Sequence, residues 1–113
     1  MVNLLQTKVD KIVSLLADKY QPEKMILFGS AAAGIIYRDS DIDLVVIKKT
    51  DRRFYDRIGD VLHILWSGAE TPKIGVDVLV YTPEEFQEMS RQNYFIRDEV
   101  LGKGQIIYER PVN

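Results

Sequence analysis

Residues 28–46 read FGSAAAGIIYRDSDIDLVV. Asp41 and Asp43 stand at the entrance to a run, Ile42, Leu44, Val45, Val46 and Ile47, that is otherwise apolar and reads as a buried strand. A carboxylate beside such a strand costs free energy unless something compensates it. Just upstream, Gly29-Ser30 closes a second apolar run, Met25-Ile26-Leu27-Phe28, and opens a segment of small residues. Both features call for one explanation, and the elements on either side frame it.

Upstream, Leu5, Val9, Ile12, Val13 and Leu16 recur at helical spacing, with Lys8, Asp10, Lys11 and Asp18 on the other side. The spacing predicts an amphipathic helix over residues 3–19, ended by Pro22. Lys24 to Phe28 is a first strand, Ser30 to Gly34 a short helical turn favoured by Ala31-Ala32-Ala33, and Ile42 to Lys48 the second strand. Phe54, Ile58, Val61, Leu62 and Leu65 mark a helix over 52–67 that stops near Gly68. Val76 to Tyr81 is a third strand with Asp77 inside it. Thr82-Pro83-Glu84-Glu85 is a capping box, with Thr82 as N-cap, Pro83 at the first helical position and Glu85 reaching back. The helix it opens carries Phe86 and Met89; a further helical stretch covers 93–101 up to Gly102, and Gln105 to Tyr108 closes as a strand. The alternation of helix and strand predicts an α/β (α+β) domain, a mixed sheet flanked by helices, and the 113 residues suit one domain, 1–113.

Composition narrows the chemistry. Apolar residues make up 46% and charged residues 28%, which is ordinary for a globular chain. A net charge of −2 argues against a broad nucleic-acid surface. The absence of cysteine removes disulfides, thiolate zinc sites and thiol nucleophiles, and the single His63 removes a histidine-based metal cluster. The N-terminal MVNLLQTKVDKIVSLL is interrupted by charges and reads as neither signal peptide nor spanning helix, so a cytoplasmic location is expected.

On a strand, residues two apart share a face, so Asp41 and Asp43 project together while Ile42 and Leu44 pack the other way. Adjacent carboxylates repel unless a cation lies between them. A neighbouring strand could bring Asp77 to the same place, making a hard-oxygen site suited to Mg²⁺; the plain alternative for Asp77 is an edge-strand aspartate facing water. Gly29 lets backbone come close to a ligand, Ser30 offers a hydroxyl, and a helix starting there points N–H groups at an anion. A phosphate binder next to a carboxylate metal site fits metal-assisted phosphoryl or nucleotidyl transfer. The plain alternative, that Asp39, Ser40 and Asp41 are only turn residues, leaves Asp43 inside an apolar strand unexplained.

Gly29-Ser30, ten residues, Asp41-Ile42-Asp43 and then Asp77 in a strand closely resemble the nucleotidyltransferase superfamily typified by DNA polymerase β. In its length the chain resembles the minimal nucleotidyltransferases, antitoxins paired with helical HEPN-type toxins. The resemblance implies a polymerase β palm-like fold and Mg²⁺-dependent transfer of AMP from ATP to a hydroxyl of the partner protein, with the chain acting as antitoxin. It implies that Asp41, Asp43 and Asp77 are the catalytic and metal-holding residues, that Asp77 helps activate the acceptor, and that Gly29 and Ser30 hold the triphosphate. Many members carry arginine in the turn where Ala31 and Ala33 stand here, leaving Arg38, Lys48 and Lys49 as substitutes to be placed. Two alternatives follow: a binding antitoxin that neutralises its partner by contact, and a nucleotidyltransferase acting on a small-molecule hydroxyl. Lys48, Lys49, Arg52, Arg53 and Arg57 read either as a solvated helix start or as an anion-steering patch, and Tyr94 and Phe95 as core or interface residues.

Overall fold

The computed structural model describes residues 4–32, 42–67 and 75–111, with the side chains of 4, 5, 30 and 31 excepted. Its elements follow the chain as α1 (Leu4–Lys19), β1 (Lys24–Phe28), the single turn α2 (Gly29–Ala32), β2 (Ile42–Ile47), α3 (Phe54–Trp66), β3 (Val76–Tyr81), α4 (Pro83–Gln92), the π-helix α5 (Phe95–Gly102) and β4 (Gln105–Glu109). The helix and strand positions expected from periodicity hold to within a few residues. The stretch expected as an ordinary helix over 93–101 winds instead as a π-helix. Gly68 lies outside the described residues.

The described strands make one four-stranded sheet in the order β3-β2-β1-β4. β1 pairs antiparallel with both β2 and β4, whereas β2 and β3 run parallel across the α3 crossover, so the sheet is mixed as expected. The central pair β1 and β2 is buried along nearly its whole length, as the unbroken apolar runs require.

The two faces of the sheet have separate cores. On one, Met25, Leu27, Ile42, Leu44, Val46, Val76, Val78 and Val80 pack against Val9, Ile12 and Leu16 of α1 and Val61 and Leu65 of α3. On the other, Ile26, Phe28, Val45, Ile47 and Tyr81 meet Ile96 and Val100 of α5, with Phe86 and Met89 of α4 beside them. The register places Phe28 opposite Asp43 and Asp43 opposite Asp77. Strand alternation therefore puts both aspartates on the second face, at the end of the sheet where β2 and β3 begin and β1 ends.

The opposite end is tied by polar contacts. Gln21 takes a left-handed φ of 56° just past α1. There the Lys48 ammonium donates to the carbonyls of Tyr20 at 2.7 Å and Gln21 at 3.3 Å and lies 5.1 Å from the Tyr20 ring centroid. A cation at the carbonyl end of a helix also complements its dipole. α4 opens on the expected capping box: Glu85 N–H donates to Thr82 Oγ1 at 3.1 Å and Thr82 N–H to Glu85 Oε1 at 2.8 Å.

The basic run 48–57 divides: Lys49, Arg52 and Arg53 are exposed at the approach to α3, as a solvated helix start requires, whereas Arg57 turns inward. Arg52 is bidentate on Asp60, at 3.0 and 2.8 Å. Arg57 is the buried charged side chain among the described residues, 7% exposed. Its guanidinium donates to Glu85 Oε1 at 2.6 Å and to the Arg52 carbonyl at 2.7 Å. Lys49 and Arg53 of the run stand exposed.

Candidate active site

Asp43 enters β2 immediately after Ile42, whose N–H donates to the Gly75 carbonyl at 2.8 Å and so starts the parallel pairing with β3. Asp77 is the in-register neighbour of Asp43 on β3. Side chains of in-register parallel residues point to one face, about one strand spacing of ~4.8 Å apart at the backbone. Asp43 is half-buried and Asp77 exposed, so the pair opens from the sheet end toward water. Two carboxylates held this close are compatible with folding when a hard cation joins them. With no cysteine in the chain and a single histidine, His63, on the exposed side of α3, oxygen is the donor on offer. Asp43 and Asp77 therefore fit Mg²⁺ as two of its ligands. Asp41, expected as the third carboxylate, lies outside the described residues, and no cluster of three or more candidate ligands occurs among those described.

Gly29 explains the turn. Its φ of +73° lies in the left-handed region. A Cβ built on it would run into Asp43 Oδ2 and come within 3.2 Å of Asp43 Cγ. What Gly29 accommodates is thus, in the first place, the carboxylate of Asp43. The backbone turn and the acid are packed together, which links the two oddities of the 28–46 stretch through one contact. Ser30 follows within the single turn α2; its side chain, like that of Ala31, and the whole of Ala33 and Arg38 lie outside the described part of the chain.

Lys48 does not substitute for the arginines the turn lacks. It sits past the far end of β2, five residues from Asp43, about 16 Å along the strand, with its ammonium engaged on the Tyr20 carbonyl just past α1. Lys49 is exposed at that same end.

Sequence reading gave no role at the site to the α4–α5 junction. Tyr94 and Phe95 are not core residues: they are 68% and 42% exposed. The Phe95 and Phe28 rings meet in a T-shaped contact, with centroids 5.5 Å apart, and Phe28 is the register partner of Asp43. The Arg97 guanidinium lies 5.7 Å from the Tyr94 ring centroid. The signal that could have pointed to Phe95 was the even spacing of Ile26 and Phe28, which sets Phe28 on the aspartate face.

The profile of the family described as "Polymerase beta, Nucleotidyltransferase" matches residues 10–113. Among curated proteins, none matches the chain. Among solved structures, the chain is similar to a candidate nucleotidyltransferase from Sulfolobus solfataricus, with TM-score 0.60 and 19% identity over 97% of this chain and 91% of that one. It is also similar to a chain from a toxin–antitoxin structure with AMP-PNP, TM-score 0.57 and 19% identity, covering 96% of this chain and 75% of that one. A mutant of the toxin–antitoxin pair MntA–HpeT gives TM-score 0.57 and 17% identity with the same coverage. At these identities the likeness is one of fold.

Proposed function

Because the chain belongs to the polymerase β nucleotidyltransferase family, whose profile spans residues 10–113, we propose that it transfers AMP from ATP to a hydroxyl of a partner protein, a HEPN-type toxin, and acts as an antitoxin in the cytoplasm. The observation that carries the catalytic part is the in-register pair Asp43 and Asp77 on one sheet face, with Gly29 folded against the Asp43 carboxylate. The fold likeness to toxin–antitoxin structures, one of them with AMP-PNP, supports the choice of partner and nucleotide.

Asp41, Asp43 and Asp77 would hold Mg²⁺. When bound, the metal neutralises charge on the triphosphate and the departing pyrophosphate. The Gly29-Ser30 turn holds the phosphates over the end of β1, beside Asp43. Asp77, exposed on the outer strand β3, faces the side from which an acceptor can approach. Its carboxylate oxygen accepts the hydroxyl proton as the acceptor oxygen bonds to the α-phosphorus and the bond to pyrophosphate breaks. Water and a protein hydroxyl compete for the same phosphorus, and holding the acceptor in line is what a docked partner contributes.

The test is incubation with labelled ATP, Mg²⁺ and the candidate toxin, followed by mass spectrometry of both proteins. A mass increase of one AMP on the toxin is expected. Asp43→Asn keeps the size and loses the charge, and should abolish the transfer while the protein stays folded. Full neutralisation of the toxin by Asp43→Asn would sink the enzymatic reading and leave contact alone as the mode of action. Modification of no toxin, with label moving to a small-molecule alcohol, would replace the acceptor class.

A further inference from the structure

Phe95 occupies a place that the fold alone does not require. It is the first residue of α5, and the two neighbouring positions that bury are Ile96 and Val100, both sunk against Ile26, Phe28 and Val45. A ring left 42% exposed is not there to fill that core. Yet it is held in place, because it meets the Phe28 ring in a near-perpendicular contact. Phe28 in turn stands directly across from Asp43 and directly before Gly29. The exposed ring is therefore one residue pair and one ring contact away from the carboxylate, on the same face of the sheet and on the β1 side. Asp77 lies on the other side, on β3.

Among the described residues, the β1–α5 side of the site thus carries an exposed aromatic ring beside the Gly29 turn, where the proposed phosphate site lies, and Asp77 stands on the opposite side, on β3. Aromatic faces bind bases of any sequence by stacking. The adjacent Tyr94 is a poorer platform, since the Arg97 guanidinium already lies against its ring.

We infer that Phe95 is the stacking platform for the base of the nucleotide, fixed at the site by its contact with Phe28. The inference rests on the nucleotide-transfer reading above and assigns to it a residue that binds the base rather than the phosphates.

Calorimetric titration in Mg²⁺ with two ligands, ATP and inorganic tripolyphosphate, separates the two claims. The parent protein should bind both, ATP more tightly. Phe95→Leu keeps an apolar contact with Phe28 and should weaken ATP at least about fivefold, the low end for loss of one base stack, while tripolyphosphate affinity and melting temperature stay unchanged. Phe95→Trp should bind ATP as well as the parent or better, and Tyr94→Ala should leave both ligands alone. Equal ATP affinity in the parent and Phe95→Leu overturns the assignment while leaving nucleotide transfer intact. So does an ATP loss in Tyr94→Ala without one in Phe95→Leu. If the parent binds neither ligand, the nucleotide reading falls and the assignment falls with it.

Discussion

Two carboxylates and one missing side chain define the candidate site at the residue scale. Gly29 is the missing one. Alanine there would meet a left-handed backbone, a penalty of about 1–2 kcal/mol, and its Cβ would collide with the Asp43 carboxylate. Gly29→Ala should therefore destabilise by more than the backbone term alone. In an Asp43→Ala background the collision is gone, so the same substitution should cost less, and a double-mutant cycle on denaturation free energies measures the coupling. A second expectation follows from Asp43 and Asp77 standing in register. Like charges on directly paired strand residues are destabilising. Asp77→Asn should thus raise the melting temperature without metal and reduce the further rise that Mg²⁺ gives; an unchanged Mg²⁺ response would remove Asp77 from the site. The two acids were legible because alternation in an apolar strand leaves a charged residue nowhere to hide. The neighbour of Gly29 was not, since sequence shows that a glycine is needed without showing what presses on it.

At the scale of elements, Arg57 and Glu85 join α3 to the start of α4 beneath the end of β3. The Arg57 hydrogen bond holds the Glu85 carboxyl below its ordinary value of 4.5, with burial opposing and the Thr82 backbone N–H assisting. A carboxyl whose folded pKa is depressed contributes stability above its unfolded pKa and loses it as pH falls through the depressed value. The contribution should be complete at neutral pH and fade only below about 4.5. Glu85 is 42% exposed on its side chain, so solvent screening keeps that contribution modest. Its partner is buried, and that makes the pair asymmetric. Glu85→Ala strands a buried guanidinium and removes half of the capping box, for a loss of at least about 2 kcal/mol. Arg57→Met leaves a carboxylate that water can reach and should cost less. Urea denaturation at pH 7 and pH 3.5 tests both: the gap between Glu85→Ala and the parent should narrow at the lower pH. The capping box was legible because its residue types and spacing are local. Arg57 was misread because it sits in a basic run, although its spacing from Phe54, Val61 and Leu65 puts it on the buried stripe of α3. The π-helical winding of α5 had no sequence signature, since the spacing of Ile96 and Val100 suits an ordinary helix equally well.

Over the whole molecule, the sheet separates two poles. At one, the parallel strands begin and β1 ends, and the aspartates, Gly29 and Phe95 gather there. At the other, Lys48, Tyr20 and Gln21 fasten α1 to the end of β2. Open α/β sheets usually bind ligands beyond the carboxyl ends of parallel strands; here the candidate site lies at their amino ends, because β1 runs antiparallel and delivers the Gly29 turn to that side. This order was foreseeable as element types but not as geometry, since chain order does not say that β4 pairs beside β1 rather than beside β3. The separation makes a sharp expectation for Lys48→Met. The substitution removes charge-assisted bonds to two helix-end carbonyls and should lower stability by about 1 kcal/mol. It should leave the affinity for ATP with Mg²⁺ unchanged, because the ammonium sits at the opposite end of β2 from Asp43. Combined with Asp43→Asn, its effect on denaturation should be additive within about 0.5 kcal/mol, as for sites beyond contact. A Lys48→Met protein that melts like the parent but binds ATP more weakly would mean that Lys48 leaves the Tyr20 and Gln21 carbonyls to serve as a triphosphate cation, in place of the arginines absent at Ala31 and Ala33.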